Sequence, residues 1–171
     1  MSRANAPGRV TRASAGVAAA VSLAAGLSAS AALAECAAEF ADLRSGGTAL
    51  RFAVEVADTE ETRARGLMFR EDLGRFAGML FVYDAPQVAT FWMENTPLPL
   101  DMLFFDAAGR VTRIHANAVP FSRDVIDGGD GVLFVLEING GLASQLGIET
   151  GAELRHPAVE PALAAWPCPD P

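Results

Sequence analysis

The chain contains no lysine, two cysteines, two histidines and one tyrosine in 171 residues. All 13 cationic side chains are therefore arginines, and they face 21 acids for a formal net charge of −8. Binding to nucleic acid requires clustered cations that neutralise phosphates, so no nucleic-acid partner is expected here. Strongly anionic partners are disfavoured for the same reason. The two cysteines, Cys36 and Cys168, stand near opposite ends with no neighbouring thiol, which excludes a CxxC redox pair. Also missing are a GxSxG elbow, an HExxH pair and a glycine loop that could cradle a phosphate. No internal repeat is visible, and the length suits one domain.

What is present begins with an address. Residues 1–34 carry Arg3, Arg9 and Arg12 but no acid, then a run of small apolar residues ending in Ala32-Leu33-Ala34. A charged start, an apolar middle and an A-x-A end describe a secretory signal cleaved after Ala34. Alanine, serine and glycine contribute too little insertion energy for a stable membrane anchor. Glu35 stands before Cys36 where a lipid-anchored cysteine would follow a small residue, and Val10 and Thr11 separate the arginines, so no twin-arginine pair forms. Cleavage leaves 137 of the 171 residues, and loss of three arginines takes the charge from −8 to −11. The mature chain is thus expected in the periplasm or secreted, without a membrane anchor, as a monomer. In an oxidising compartment an even pair of cysteines reads as a disulfide, here one that staples the two ends.

Along the mature chain, apolar residues alternate at Leu50, Phe52, Val54 and Val56, the period of a half-buried strand. Thr59 then opens a short helix with Glu60 and Glu61 early and Arg63 and Arg65 late, and Gly66 ends it. Further strands are expected over 78–83, closed by Asp84-Ala85-Pro86, and over 88–93, 100–105, 111–118, 132–138 and 151–155. Residues 121–131 read as an exposed acidic, glycine-rich loop, and residues 142–146 as a helical turn. The expected organisation is an N-terminal segment at 35–47, a domain at 48–156 and a proline-rich tail at 157–171. Many short strands with two short helices point to a mainly β fold, a compact antiparallel sandwich or barrel.

Four segments carry a family resemblance: GLMFR (Gly66 to Arg70), GMLFVY (Gly78 to Tyr83), FWMENTPLPLDMLFFD (Phe91 to Asp106) and VLEINGG (Val135 to Gly141). In this order they resemble the family known as domain of unknown function 192, over roughly residues 48–155. The resemblance implies a compact, mainly β, often exported domain and no established chemistry. It marks Arg63, Gly66, Leu67, Met68, Arg70, Gly78, Met79, Trp92, Met93, Asn95, Thr96, Leu100, Asp101 and Glu137 as signature positions. Two positions depart from the pattern: Glu94 stands where relatives commonly carry lysine, and Pro97 replaces an aliphatic residue.

The densest polar cluster is Asn95, Thr96 and Asp101, with Trp92 and Met93 just upstream and Pro97 and Pro99 stiffening the turn. These groups either aim donors at a ligand or tie down their own loop. Asp101 and Glu137 lie within otherwise apolar strands and require partners, for which Arg63 and Arg70 are the natural candidates. The candidate binding cleft therefore comprises Trp92, Met93, Asn95, Thr96, Asp101, Arg63, Arg70 and Glu137. Met68, Met79 and Met93 are soft thioether ligands that would suit Cu(I), although methionine also fills irregular cores. Asp124, Asp127 and Asp130 do not match a calcium loop. His115 lies on a polar strand face and His156 in the tail. No cofactor is expected. The expected role is an exported binding or accessory module for a small molecule or an envelope protein. The alternatives are a hydrolase acting through Asp101 and Glu137 and a Cu(I) binder.

Overall fold

The computed structural model describes residues 36–169. The expected signal segment, residues 1–34, lies outside them. The strands are β1 (Phe40–Ser45), β2 (Thr48–Ala57), β3 (Ala77–Phe91), β4 (Leu100–Phe105), β5 (Val111–Ala118), β6 (Ile126–Asn139) and β7 (Glu153–Arg155), with helices α1 (Glu60–Arg65) and α2 (Leu142–Gln145). They form one seven-stranded sheet in the order β5-β4-β6-β3-β2-β1-β7. All neighbours are antiparallel except β2 and β3, whose parallel pairing follows from the α1 crossover between them. The sheet curls until its edges meet. Val111 N–H donates to Ala152 O at 2.8 Å, Leu154 N–H donates to Gly109 O at 2.8 Å, and Arg110 bridges to Glu153. The result is a half-barrel rather than two packed sheets.

The central strands are apolar on both faces, because side chains alternate sides along each strand. Leu103, Phe105, Leu136, Ile138 and Leu80 build one core, shared with Leu142 and Ala143 of α2 and with Leu154. Met102, Phe104, Val135, Met79 and Phe81 build the other, covered by Leu67 and Met93 from the loops. Two cores of opposite facing explain the unbroken apolar runs of the β4 and β6 segments.

The structure corrects two expectations and adds detail at both ends. Pro86 does not end a strand: β3 runs through it, and the pairing with β6 shifts between Val82 and Gln87, where a residue without an N–H is tolerated. Residues 126–131, expected in a loop, belong to β6 and pair with the far end of β3. Gly128 disguises this stretch, since a methyl there would lie 2.3 Å from the Phe104 ring. The segment before residue 48 contributes β1, an interior strand between β2 and β7. The tail is packed as well: Trp166 is buried under the guanidinium groups of Arg155 (4.4 Å) and Arg44 (4.8 Å).

The ends are joined as the cysteine count suggested, with Cys36 and Cys168 disulfide-bonded at a Cα separation of 5.8 Å. Nearby, the buried Asp42 carboxylate accepts from Arg51 (2.7 and 2.9 Å) and Arg155 (3.0 and 2.6 Å). Burial alone would raise the Asp42 pKa, but the two guanidinium groups outweigh it and hold the pKa below its ordinary value. His156 is buried too. Its Nδ1 accepts from Ala158 N–H, so Nε2 carries the proton and donates to Ala38 O at 2.9 Å. Desolvation holds its pKa down, which makes it a neutral peg for the N-terminal segment.

Candidate functional site

Local sequence shapes one wall of a cleft. Thr59 caps α1 in a reciprocal pair with Thr62, and Gly66 closes the helix at φ 49°, ψ −139°, a conformation that L side chains rarely adopt. The sharp exit turns Leu67 and Met68 back over the sheet. Arg63, on the last turn, donates to Asp58 O and Val82 O, both at 2.7 Å, and lies 5.3 Å over the Tyr83 ring. Its role here is to clamp α1 against β3.

The opposite wall is the end of β3, Thr90 and Phe91, continuing into Trp92, which is 50% exposed at the rim. Behind it, Phe91 stacks edge-on to Phe81 (5.2 Å) and to Phe104 (5.8 Å). The space between the walls is about 260 Å³, with Thr96 and Glu137 also reaching it. Its ionisable lining groups are Arg63, Arg65, Tyr83 and Glu137.

Glu137 is the unusual member. It sits on β6 opposite Met79 of β3 and Met102 of β4, so apolar neighbours flank it on both sides. It is 4% exposed, and among the described residues no hydrogen bond or ion pair reaches its carboxyl. Desolvation pushes its pKa up to about 8, leaving it protonated at neutral pH. Tyr83 beside it is also raised, first by burial and then by the Glu137 charge, against the opposing effects of Arg63 and Gln87. Gly78 keeps β3 close here, because a methyl at that position would lie 2.5 Å from the Glu137 carbonyl oxygen.

The sequence-derived candidates divide. Arg63, Trp92, Thr96 and Glu137 line the cleft together, and Met68 joins them. Arg70 stands outside it, paired with Glu55 at 2.5 Å beside a neighbouring hollow that Met79 also lines. Met93 is buried in the core, and Asn95 is exposed at φ 55°, its carbonyl accepting from Phe69 N–H at 2.8 Å. Met79, Met93 and Met102 all belong to the same apolar core.

Asp101 is fully buried and lies on the other face. Its carboxylate accepts three backbone N–H groups, from Asn117, Gly141 and Ala143, each at 2.8 Å. It pins the turn into α2. Asp101 pairs with Ile138 while Glu137 pairs with Met102, so the two carboxyls project to opposite faces and do not converge on one substrate. Neither pairs with an arginine, contrary to the expected partnership with Arg63 and Arg70. Backbone amides satisfy one, whereas the other has no protein partner and its carboxyl opens onto the cleft.

Arg65, Tyr83, Thr90 and Phe91 were not among the sequence candidates. Tyr83 carried a usable signal, since Met79, Phe81 and Tyr83 share one strand face by the period of two. Arg65 carried none, because its place on the cleft depends on how α1 docks.

Fold and site together define a small half-barrel with a cleft of about 260 Å³ that reaches a buried acid without a protein partner. The chain belongs to the uncharacterized family known as domain of unknown function 192, whose model matches residues 41–156. Among solved structures it is similar to a protein of unknown function from Novosphingobium aromaticivorans, at 43% identity and TM-score 0.66, covering 67% of this chain and 82% of that one. A candidate transcription regulator from Sinorhizobium meliloti is similar at 39% identity and TM-score 0.67, covering 70% and 94% of the two chains. No protein of curated function matches.

Proposed function

We propose that this chain is an exported, periplasmic binding module that takes a small molecule in the cleft between α1 and the end of β3. The observation that carries this reading is Glu137, a carboxyl buried without any partner at the floor of an aromatic-walled cleft. No side-chain polar atom among the described residues is both fully buried and unpartnered, so the Glu137 carboxyl, which has no protein partner, opens into the cleft and is available to a ligand's hydrogen bond. Perturbed acids in clefts mark functional sites for this reason. The signal-like start of the sequence and the Cys36–Cys168 bridge support export to an oxidising compartment. Alkylation of the purified protein without reductant is expected to label no thiol.

An envelope protein is the second reading, favoured by the rim. Phe69, Trp92 and Phe121 are all exposed, and Phe69 and Phe121 both have positive φ. Their loops are tied together by Phe69 N–H to Asn95 O and Phe121 N–H to Thr96 O (3.1 Å). Backbone strain of this kind is found where loops serve a site.

The test is thermal unfolding of the mature chain against sugars, peptides, organic anions, amino acids and Cu(I). Ligand at a hundred times its Kd stabilises by about 2.7 kcal/mol, a shift of several degrees for a domain of this size. Protection that Trp92→Ala and Glu137→Gln both remove supports the cleft. Protection indifferent to both variants, or none from any class, overturns small-molecule binding there and leaves the rim.

A further inference from the structure

The formal charges on the cleft lining are already accommodated. Arg63 donates to Asp58 O and Val82 O, lies over the Tyr83 ring and has Asp84 at 3.8 Å. Arg65 is exposed to solvent and also lines the neighbouring hollow beside Glu55 and Arg70. Glu137 is buried between Met79 and Met102, and neither arginine pulls its proton off, so at neutral pH it faces the cleft as an uncharged carboxyl.

What the lining offers a ligand is therefore hydrogen bonding without charge. The Glu137 carboxyl has an O–H to donate and oxygen lone pairs to accept. Thr90, Thr96 and Tyr83 add hydroxyls around the same space. Thr96 donates to Glu94 O at 3.2 Å, which leaves its oxygen to accept. The rest of the wall is apolar, from Leu67 and Phe81 to Phe91 and Trp92, and Trp92 is 50% exposed, so part of its indole is open to a ligand.

Resting on the proposed cleft, we infer that its ligand is an uncharged pyranose sugar, held as a single ring with hydroxyls toward Glu137 and Thr96 and a C–H face against the aromatic wall that ends in Trp92. An ion of either sign would leave water for a space with no free counter-charge to meet it. A wholly apolar molecule would leave the carboxyl and the threonines unpaired. Sugar hydroxyls donate and accept at once, as the lining groups do, and the C–H groups of the ring suit the electron-rich face of an aromatic side chain. The space, about 260 Å³, falls below the roughly 300–1,000 Å³ of drug-sized sites and suits one ring rather than a chain.

The experiment is calorimetric titration of the mature protein at pH 7 with D-glucose, D-galactose and D-mannose, each beside its 2-amino sugar, its uronic acid and its methyl glycoside. At least one neutral hexose is expected to bind, and its cationic and anionic counterparts to bind at least about tenfold more weakly. Trp92→Ala and Glu137→Gln should each weaken that hexose at least about tenfold, the second because an amide nitrogen donates but cannot accept. Denaturant unfolding of both variants separates this loss from a loss of fold. The methyl glycoside distinguishes two sources of the same ring: affinity equal to the parent hexose assigns the end of a glycan chain, and loss of affinity assigns a free sugar. A charged counterpart that binds as tightly as its neutral parent overturns the assignment while the cleft remains a binding site. So does protection in unfolding by another class when no hexose binds. A hexose that binds both folded variants as it binds the parent sits elsewhere, which also overturns it. If no class protects the protein, the cleft reading falls too.

Discussion

Two buried carboxyls on adjacent strands of one sheet have opposite fates. Asp101 and Glu137 are one register step apart across β4 and β6, and each lies in an apolar run. Asp101 faces the turn into α2, where three backbone N–H groups converge on it, so its charge is matched inside the protein. Glu137 faces the α1 side, where methionines flank it and no donor arrives. A buried acid with partners is architecture, whereas one without them is held by the rest of the fold at a cost, and such costs gather at sites of function.

The largest expected effect is on Asp101. Asp101→Ala orphans three backbone donors at once and should cost about 3–5 kcal/mol in denaturant unfolding. A loss below 1 kcal/mol would break the contrast between the two acids.

Glu137 should behave in the opposite sense and show a pH dependence. Its folded pKa of about 8 lies above the 4.5 of an unperturbed glutamate, so the native protein keeps a proton that the unfolded chain has already lost between those values. Stability therefore falls as pH rises from about 4.5 to 8 and levels off above. Glu137→Gln removes this fall and should leave the protein more stable than the parent at pH 9, on the order of 5 kcal/mol. Equal pH profiles of unfolding for parent and variant would show that Glu137 is paired after all.

Gly78→Ala drives a methyl into the Glu137 backbone carbonyl and should destabilise by about 1–3 kcal/mol, by separating β3 from β6 at the cleft floor. Thr59→Ala removes the α1 cap and should cost about 1 kcal/mol, which sharpens the comparison because α1 carries the Arg63 and Arg65 wall. Smallest of all, Arg70→Ala breaks an exposed pair with Glu55 and should change the unfolding midpoint by less than about 0.5 kcal/mol. A larger loss would mean that the hollow beside Arg70 is part of the site.

Much of this was readable before any coordinates. The capped helix from Thr59 to Gly66 follows from residues within one turn of each other, as do the strand period of residues 48–56 and the apolar run of 100–105. Cys36 and Cys168 reported their bond through count and placement. Family resemblance singled out Glu137 without saying what it does. Long-range pairing hid the remainder: the β6 extension at residues 126–131 looks like a loop because Gly128 and Asp127 have little strand preference, and only the far end of β3 and the Phe104 ring account for them. Likewise Pro86 reads as a terminator until the shift in β3 pairing shows that no donor is needed there.

The sequence alone determined the local elements, the acidic balance and the presence of two acids inside apolar strands, since composition and short-range periodicity are properties of the chain itself. Only the tertiary structure decided which acid is satisfied. That depends on the facing of each residue across the β4–β6 ladder and on what the distant segments α1 and α2 bring to each face, and a one-residue slip of β6 alone would have put both acids on the same face.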